Sequence, residues 1–129
     1  MAARTTISYL RKDQVVEINN RLVPASERGF LYEGGLDFIL DYVTDEYEDL
    51  AIRQAVIGKA AYLWYQIANN QYFVNGNKRT AFETADVFLK ANGLTLTANI
   101  DEKHLISSSI ANKIFVVENV RVEIARYFI

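Results

Sequence analysis

The chain has 129 residues, of which 50% are hydrophobic and 23% are charged, a length and balance that predict one domain spanning residues 1–129. It contains no cysteine and a single histidine, His104, which excludes disulfides, cysteine nucleophiles and metal sites built from several cysteines or histidines. The formal net charge is −2, so the chain lacks the excess of basic residues that is typical of nucleic-acid-binding proteins. We therefore expect no binding to nucleic acid. Because no apolar run reaches the roughly 20 residues of a membrane span or resembles a secretory signal, we also expect a cytoplasmic protein that does not bind a membrane.

Two helices are predicted in the first part of the chain. Apolar residues at spacings of three and four indicate an amphipathic helix between Lys12 and Leu22. Pro24 ends it, and a long connector is expected to run as far as the glycine pair at positions 34 and 35. The second, shorter helix should carry Leu36, Ile39, Leu40 and Val43. An acidic stretch from 33 to 49, without any lysine or arginine, overlaps this helix.

The strongest helical periodicity runs from about Leu50 to Asn69, where small alanines allow close approach of neighbouring helices. A loop rich in asparagine and glycine follows, and a second periodic segment through residues 81–89 ends near Gly93. These two helices should form the centre of the fold, with the loop between them.

Two further helices are expected near the end of the chain, after an extended link at LTLTA. Asp101 is the predicted cap of the first, which runs through Ile110, and Asn119 is the predicted cap of the last, which continues to Tyr127 and Phe128. The pattern as a whole predicts an all-α bundle of about six helices with almost no sheet.

The loop that joins the two central helices carries the chemistry, in the segment QYFVNGNKRTA at residues 71–81. Gly76 permits a tight turn, and the first amides of a helix, at the positive end of its dipole, favour an anion. Asn77 supplies an amide donor, Lys78 a mobile charge and Arg79 a planar fork for phosphate oxygens. These residues predict a phosphate-binding turn. The alternative is an ordinary solvated helix start, although cations in a first turn are unfavourable unless an anion offsets them.

This segment resembles the signature of the Fic/Doc family, His-x-Phe-x-(Asp or Glu)-Gly-Asn-(Gly or Lys)-Arg, through Phe73 and residues 76–81. The segments YLRKDQVVEINNRL and VFLKANGLTL resemble the family's first helix and the end of its motif helix. Within the family, the lysine at position 78 and the short chain resemble the Doc, or death-on-curing, branch. The resemblance implies a helical Fido fold and a toxin that pairs with a small antitoxin. It also implies transfer of the γ-phosphate of ATP to a threonine of a translation factor, elongation factor Tu.

Two positions depart from the signature. Gln71 replaces the family's catalytic histidine and cannot act as a general base, because glutamine has no basic nitrogen. Asn75 replaces the acidic residue that holds Mg²⁺, and a neutral amide is a much weaker ligand for that ion. The resemblance therefore implies a site in which residues 76–79 hold the phosphates of ATP, Arg79 and Gln71 act in catalysis with Gln71 orienting the acceptor, and Asn75 is at most a weak ligand for Mg²⁺.

Few other residues in the sequence are candidates for the missing base or metal ligand. His104 lies in a different predicted helix with no spacing relation to the loop, so we expect an ordinary surface or partly buried histidine. The acidic stretch could lend Asp45, Glu46 or Glu48 to a metal or substrate, but a solvated acidic face is the simpler interpretation. Phe73 should anchor the loop by burying its ring.

Regulation should come from a separate chain. Some Fic proteins silence themselves with a helix of pattern (Ser or Thr)-x-x-x-Glu-(Gly or Asn), and neither Thr44 to Asp49 nor Glu33-Gly34 fits it. The resemblance instead implies an antitoxin whose peptide folds into a groove.

Three functions remain open from sequence. The protein is a phosphoryl or nucleotidyl transferase, impaired by its two substitutions; or an inactive Fido-fold module that still binds a nucleotide or a protein; or an antitoxin partner whose phosphate site is vestigial.

Overall fold

A computed structural model describes residues 6–126. Within that range the fold is all-α, as the sequence predicts, and a short 3₁₀ turn at Ala25–Glu27 interrupts the connector after the first helix. The helices, in chain order, are α1 (Lys12–Leu22), α2 (Glu33–Tyr42), α3 (Ile52–Asn69), α4 (Asn77–Ala91), α5 (Ile100–Ala111) and α6 (Val117–Arg126). Over the described residues, the β structure is limited to a single antiparallel bridge between Phe30 and Phe73.

Helix α3 is the centre of the fold. It is buried almost all round through its middle turns, from Ala55 to Trp64, which is typical of a helix surrounded by others. Helices α4, α5 and α6 all pack against it, α4 most extensively. The Trp64 indole donates a hydrogen bond to Ser107 Oγ at 2.8 Å, which joins α3 to α5. The expectation of two central helices with the motif loop between them is therefore confirmed.

Several helix ends differ from the sequence prediction. The connector does not extend to the glycine pair, since α2 already begins at Glu33 and both glycines lie in its first turn. A Cβ on Gly35 would collide with the ring of Tyr72, so this glycine serves close packing rather than a turn.

The two C-terminal helices begin earlier than predicted. Asn99, not Asp101, caps α5: its side chain accepts the Glu102 amide at 2.9 Å, and Glu102 accepts the Asn99 amide at 2.9 Å, the reciprocal arrangement of a capping box. Helix α6 begins at Val117, while Asn119 accepts the amide of Val116 at 2.9 Å. The sequence predicts that this helix continues to positions 127 and 128, which lie outside the described residues.

Two lysines pair with part of the acidic stretch. Lys12 pairs with Glu33 and Asp37 of α2, and these hydrogen bonds raise the pKa of the lysine. Lys59 of α3 is fully buried and donates to the carbonyl oxygens of Val43 (2.9 Å) and Thr44 (3.1 Å) as well as to a carboxylate oxygen of Glu48 (3.3 Å). The end of α2 is thus fixed to the central helix.

None of the helices between residues 6 and 126 is both long and apolar enough to cross a membrane.

Candidate functional site

The loop between α3 and α4 is held against the connector that precedes α2. The amides of Leu31 and Tyr32 donate to the Tyr72 carbonyl oxygen at 2.8 and 3.0 Å, and the Val74 amide donates to the Gly29 carbonyl oxygen at 3.0 Å. The Phe73 ring is buried and stacks on Phe30, with ring centroids 5.1 Å apart. Phe73 therefore anchors the loop from below, in the position that the sequence predicts.

Asn77 closes the loop on itself. Its side-chain oxygen accepts the Phe73 amide at 3.0 Å, and its amide nitrogen donates to the Phe73 carbonyl oxygen at 2.9 Å. One of the two Nδ2 hydrogens is thereby used inside the loop, which leaves the other for a ligand. The side chain that sequence reasoning assigns to phosphate binding also shapes the loop.

Gly76 makes the turn into α4. Its φ of 76° is left-handed, and a Cβ there would lie 2.7 Å from Val23 Cγ1, so glycine is required on both counts. Beneath the turn, the buried Asn19 side chain of α1 donates to the Asn75 carbonyl oxygen (2.9 Å) and to Thr80 Oγ1 (3.0 Å). Helix α1 thus holds the start of α4 in place.

The first amides of α4 are unused within the described chain. The Thr80 amide already donates to the Gly76 carbonyl oxygen, and the Gly76 amide donates to Asn75 Oδ1. No acceptor among residues 6–126 lies against the amides of Asn77, Lys78 and Arg79, and no side chain caps the helix. Three free N–H groups at the positive end of a helix dipole attract an anion.

An open cavity of about 400 Å³ lies in front of these amides. Lys78 and Arg79 are exposed, and neither side chain makes a hydrogen bond or ion pair with any other residue between 6 and 126. No Asp or Glu is among the described residues that line the cavity. Its ten lining residues are Ala68, Gln71, Val74, Asn75, Gly76, Asn77, Lys78, Arg79, His104 and Ala111. The cavity is therefore positively charged and open to solvent.

The two degenerate positions lie on this same cavity. Gln71 is exposed on its wall and makes no hydrogen bond through its side chain within residues 6–126. Asn75 is committed to other groups: its oxygen accepts the Gly76 amide at 2.8 Å and its nitrogen donates to Glu27 Oε1 at 2.7 Å. Mg²⁺ prefers carboxylate oxygens, and the described residues contain no cluster of three groups able to hold a metal. The donor set therefore does not fit a protein-bound magnesium.

Comparison with known proteins identifies the family. A model of the Fic/DOC family matches residues 9–89, more than half of the chain, and the matched range contains the whole motif loop. The chain belongs to the Fic/DOC family. It is similar to Toxin Doc of Mycolicibacterium smegmatis, with 34% identity over 71 residues, which is 54% of this chain and 55% of that relative. The aligned part thus spans about half the length of the curated relative.

One residue that sequence reasoning set aside lies at this Fic/DOC site. His104 of α5 lines the cavity opposite the motif loop, although its position in the sequence showed no relation to the loop. The expectation of a surface or partly buried histidine is confirmed, since His104 is exposed, but nothing in the sequence pattern places it beside the loop. The reason is tertiary: Ser107, one turn further along α5, donates to the Lys78 carbonyl oxygen at 2.9 Å and so fixes α5 against the first turn of α4.

Glu27 is the second residue that the sequence did not point to. It lies in the 3₁₀ turn of the connector, 48 positions before Asn75, and its carboxylate accepts the Asn75 amide. Only the folding of the connector onto the loop brings the two residues together, so no local pattern could have revealed the pair.

The acidic candidates Asp45, Glu46 and Glu48 do not line the motif cavity. Glu48 lies instead beside Lys59 and lines a separate cavity. The aromatic residues near the site serve as core: Tyr62, Trp64 and Tyr72 are all buried. Burial raises the pKa of the Tyr72 phenol, partly opposed by the hydrogen bond from Asn70. These three rings are part of the core and do not line the motif cavity.

Proposed function

We propose that this protein is a Doc-like toxin that binds the phosphates of ATP at the start of α4 and transfers a phosphoryl or nucleotidyl group to a protein hydroxyl. Transfer is slow because positions 71 and 75 no longer carry ionisable groups. The activity is controlled by an antitoxin chain that occupies a groove on the toxin.

The observation that carries this proposal is the combination of three free amides with two unpaired cations in one cavity. An oxyanion placed there would accept N–H bonds from residues 77–79 and charge-assisted bonds from Lys78 and Arg79. The described lining adds no carboxylate that would repel it. Without an anion, the two cations oppose the helix dipole and the three amides have no acceptor. A bound anion would interact favourably with all of these groups.

The bound phosphates would be positioned and neutralised by the chain's own groups. Phosphoryl transfer depends mainly on positioning and on stabilisation of the developing charge, and Arg79 and Lys78 would supply the charge. Gln71, exposed on the cavity wall, would orient the acceptor hydroxyl by hydrogen bonding. A general base typically contributes about a hundredfold to ten-thousandfold, so transfer without a histidine at position 71 would be slow but measurable.

The test is labelling with two forms of ATP. The purified protein would be incubated with γ-labelled or α-labelled ATP, together with a lysate of Mycolicibacterium smegmatis or with purified elongation factor Tu, the acceptor that the family resemblance implies. We expect slow labelling of one protein band with a single label position, which identifies phosphoryl or nucleotidyl transfer. The Arg79→Ala variant should show no labelling, and Lys90→Ala, at the far end of the same helix, should match the parent.

A gain-of-function variant sharpens the test. Gln71→His with Asn75→Asp restores both ionisable groups, but the new carboxylate would face Glu27 Oε1, which now accepts the Asn75 amide at 2.7 Å. Like charges at that distance oppose each other, so Glu27→Gln is included in the design. We expect the triple variant to transfer at least tenfold faster than the parent and faster than the double variant. A triple variant no faster than the parent would show that these groups do not limit the reaction.

A second function is favoured by the state of Asn75 and Gln71. Because one amide is bonded within the chain and neither is basic, the site would also suit an inactive module that binds a nucleotide without transfer. In that case the parent binds ATP in calorimetry and labels no protein with either form of ATP.

The antitoxin relationship is tested in cells. Expression of this chain in Mycolicibacterium smegmatis should arrest growth, and co-expression of the protein encoded by the adjacent reading frame should restore it. Arrest by the Arg79→Ala variant as strong as that by the parent would contradict the link between toxicity and the phosphate-binding cavity.

A further inference from the structure

We infer that His104 is the general base of this site and takes the place of the missing histidine at position 71. The inference rests on the proposed transfer function and adds to it the residue that accepts the proton. It assigns a role to the one histidine of the chain, which lies on α5 and outside the family signature.

The position of His104 is fixed by its neighbours. Ser107 accepts the Trp64 indole N–H and donates to the Lys78 carbonyl oxygen, so α5 is tied both to the core and to the first turn of α4. Residues three apart on a helix lie on the same face, so His104 faces α4 as Ser107 does. The His104 ring meets Phe82 of α4 edge-on, with centroids 4.9 Å apart and planes at 84°.

The nitrogens of His104 are free to act. The residue is exposed, and its ring makes no hydrogen bond or ion pair with residues 6–126. Every other polar side chain on the described lining is unsuitable as a base, because the ammonium and guanidinium groups of Lys78 and Arg79 are donors without an acceptor and the amides of residues 71, 75 and 77 have no basic nitrogen. Imidazole is the side chain that ordinarily exchanges a proton in this pH range.

The step proceeds as follows. An acceptor hydroxyl enters the cavity between the loop and α5, and a neutral imidazole nitrogen of His104 takes its proton as the oxygen bonds to the γ-phosphorus of ATP. The bond from that phosphorus to its bridging oxygen breaks, and ADP leaves with the electron pair. The imidazolium then releases the proton to solvent, which reaches it through the open cavity.

The decisive experiment measures transfer and binding separately. Transfer from γ-labelled ATP to the acceptor identified above would be timed for the parent, His104→Ala, His104→Gln and the control Leu105→Ala, whose exposed side chain lies outside the cavity lining. ATP affinity would be measured by calorimetry on the same proteins. We expect both His104 variants to transfer about a hundredfold to ten-thousandfold more slowly, with ATP affinity within about twofold of the parent and Leu105→Ala unchanged.

Two further measurements separate a base from a structural residue. Free imidazole in the buffer should restore part of the activity of His104→Ala, because the vacated space opens onto solvent. In a Gln71→His background, which carries its own base, His104→Ala should lower the rate by less than threefold.

Failure of this inference is distinct from failure of the proposed function. Equal rates for the parent and His104→Ala, or transfer by Gln71→His with none by the parent, would overturn the role of His104 and leave the site intact. Absence of transfer in both the parent and Gln71→His, with ATP still bound, would overturn the transfer function and this inference with it. Absence of ATP binding would overturn the phosphate site itself.

Discussion

The motif loop has two sides that obey different constraints. The inner side packs against the rest of the chain: Phe73 stacks on Phe30, Asn77 bonds the Phe73 backbone twice, and Gly76 fits against Val23. The outer side is exposed, and its two cations have no partner among residues 6–126. Both positions that depart from the family signature, Gln71 and Asn75, lie on the outer side, whereas the inner residues Phe73, Gly76 and Asn77 all match it.

This division explains how the loop can keep its backbone path when the ionisable groups on its exposed side are replaced. Gln71 and Asn75 are both exposed, so replacing an ionisable group there leaves the packing beneath untouched. The inner residues determine the path of the backbone, and that path alone places the amides of residues 77–79 toward the cavity. Shape and chemistry are therefore separable in this loop, and substitutions on each side should separate them experimentally.

The largest expected effect is from Phe73→Ala. Loss of a buried aromatic ring and the cavity left behind typically cost about 3–5 kcal/mol, and we expect a decrease of that size in the free energy of unfolding measured with urea. The matched control is Val74→Ala, one residue away on the outer side and 47% exposed, for which we expect a change below about 0.5 kcal/mol. Similar costs at the two positions would contradict the two-sided description of the loop.

The next effect is from Gly76→Ala. The left-handed backbone costs a residue with a Cβ about 1–2 kcal/mol, and the contact with Val23 Cγ1 at 2.7 Å adds to this. Gly93→Ala is the control, because its φ of 81° is similar but nothing lies within 4 Å of the added Cβ. We expect thermal unfolding to show a larger loss at position 76 than at 93, and the difference measures the packing of the turn on α1. Equal losses would mean that this packing contributes nothing.

A smaller cost, about 2 kcal/mol, is expected for Asn77→Ala, which removes two hydrogen bonds to Phe73 worth about 1 kcal/mol each. Asn77→Asp keeps the acceptor for the Phe73 amide, loses the donor, and places a negative charge at the helix start, which the dipole favours. Its stability in urea should therefore fall between that of the parent and that of the alanine variant. Asn77→Asp no more stable than Asn77→Ala would contradict the stabilising role of the accepted bond and of the charge at the helix start.

The sequence predicts the helices far better than it predicts the site. Periodicity alone places α1 at Lys12–Leu22 and α3 and α4 on either side of the loop, because those helices bury one face or all faces in a regular pattern. It fails at the caps of α5 and α6, where several polar residues compete for the same amides.

The motif residues could be identified because they are consecutive, whereas His104 and Glu27 could not. Each reaches the loop through a tertiary contact, the first by way of Ser107 on Lys78 and the second through the connector that pairs with the loop. Such contacts have no sequence spacing of their own, so the relation of His104 and Glu27 to the loop is visible only in the folded chain.

The smallest effect on stability, and the most informative about function, is expected for Lys78→Ala and Arg79→Ala. Their side chains bind nothing between residues 6 and 126 and oppose the helix dipole, so each variant should match the parent within about 0.5 kcal/mol in the absence of ligand. ATP at ten times its Kd should then stabilise the parent by about 1.4 kcal/mol and either variant much less, as measured by the shift in Tm. Lys90→Ala, at the opposite end of α4 and paired with Asp86, should retain the full shift. If all three variants are stabilised equally by ATP, the nucleotide binds elsewhere, and the free cations of the outer side would have to be explained by a different anion.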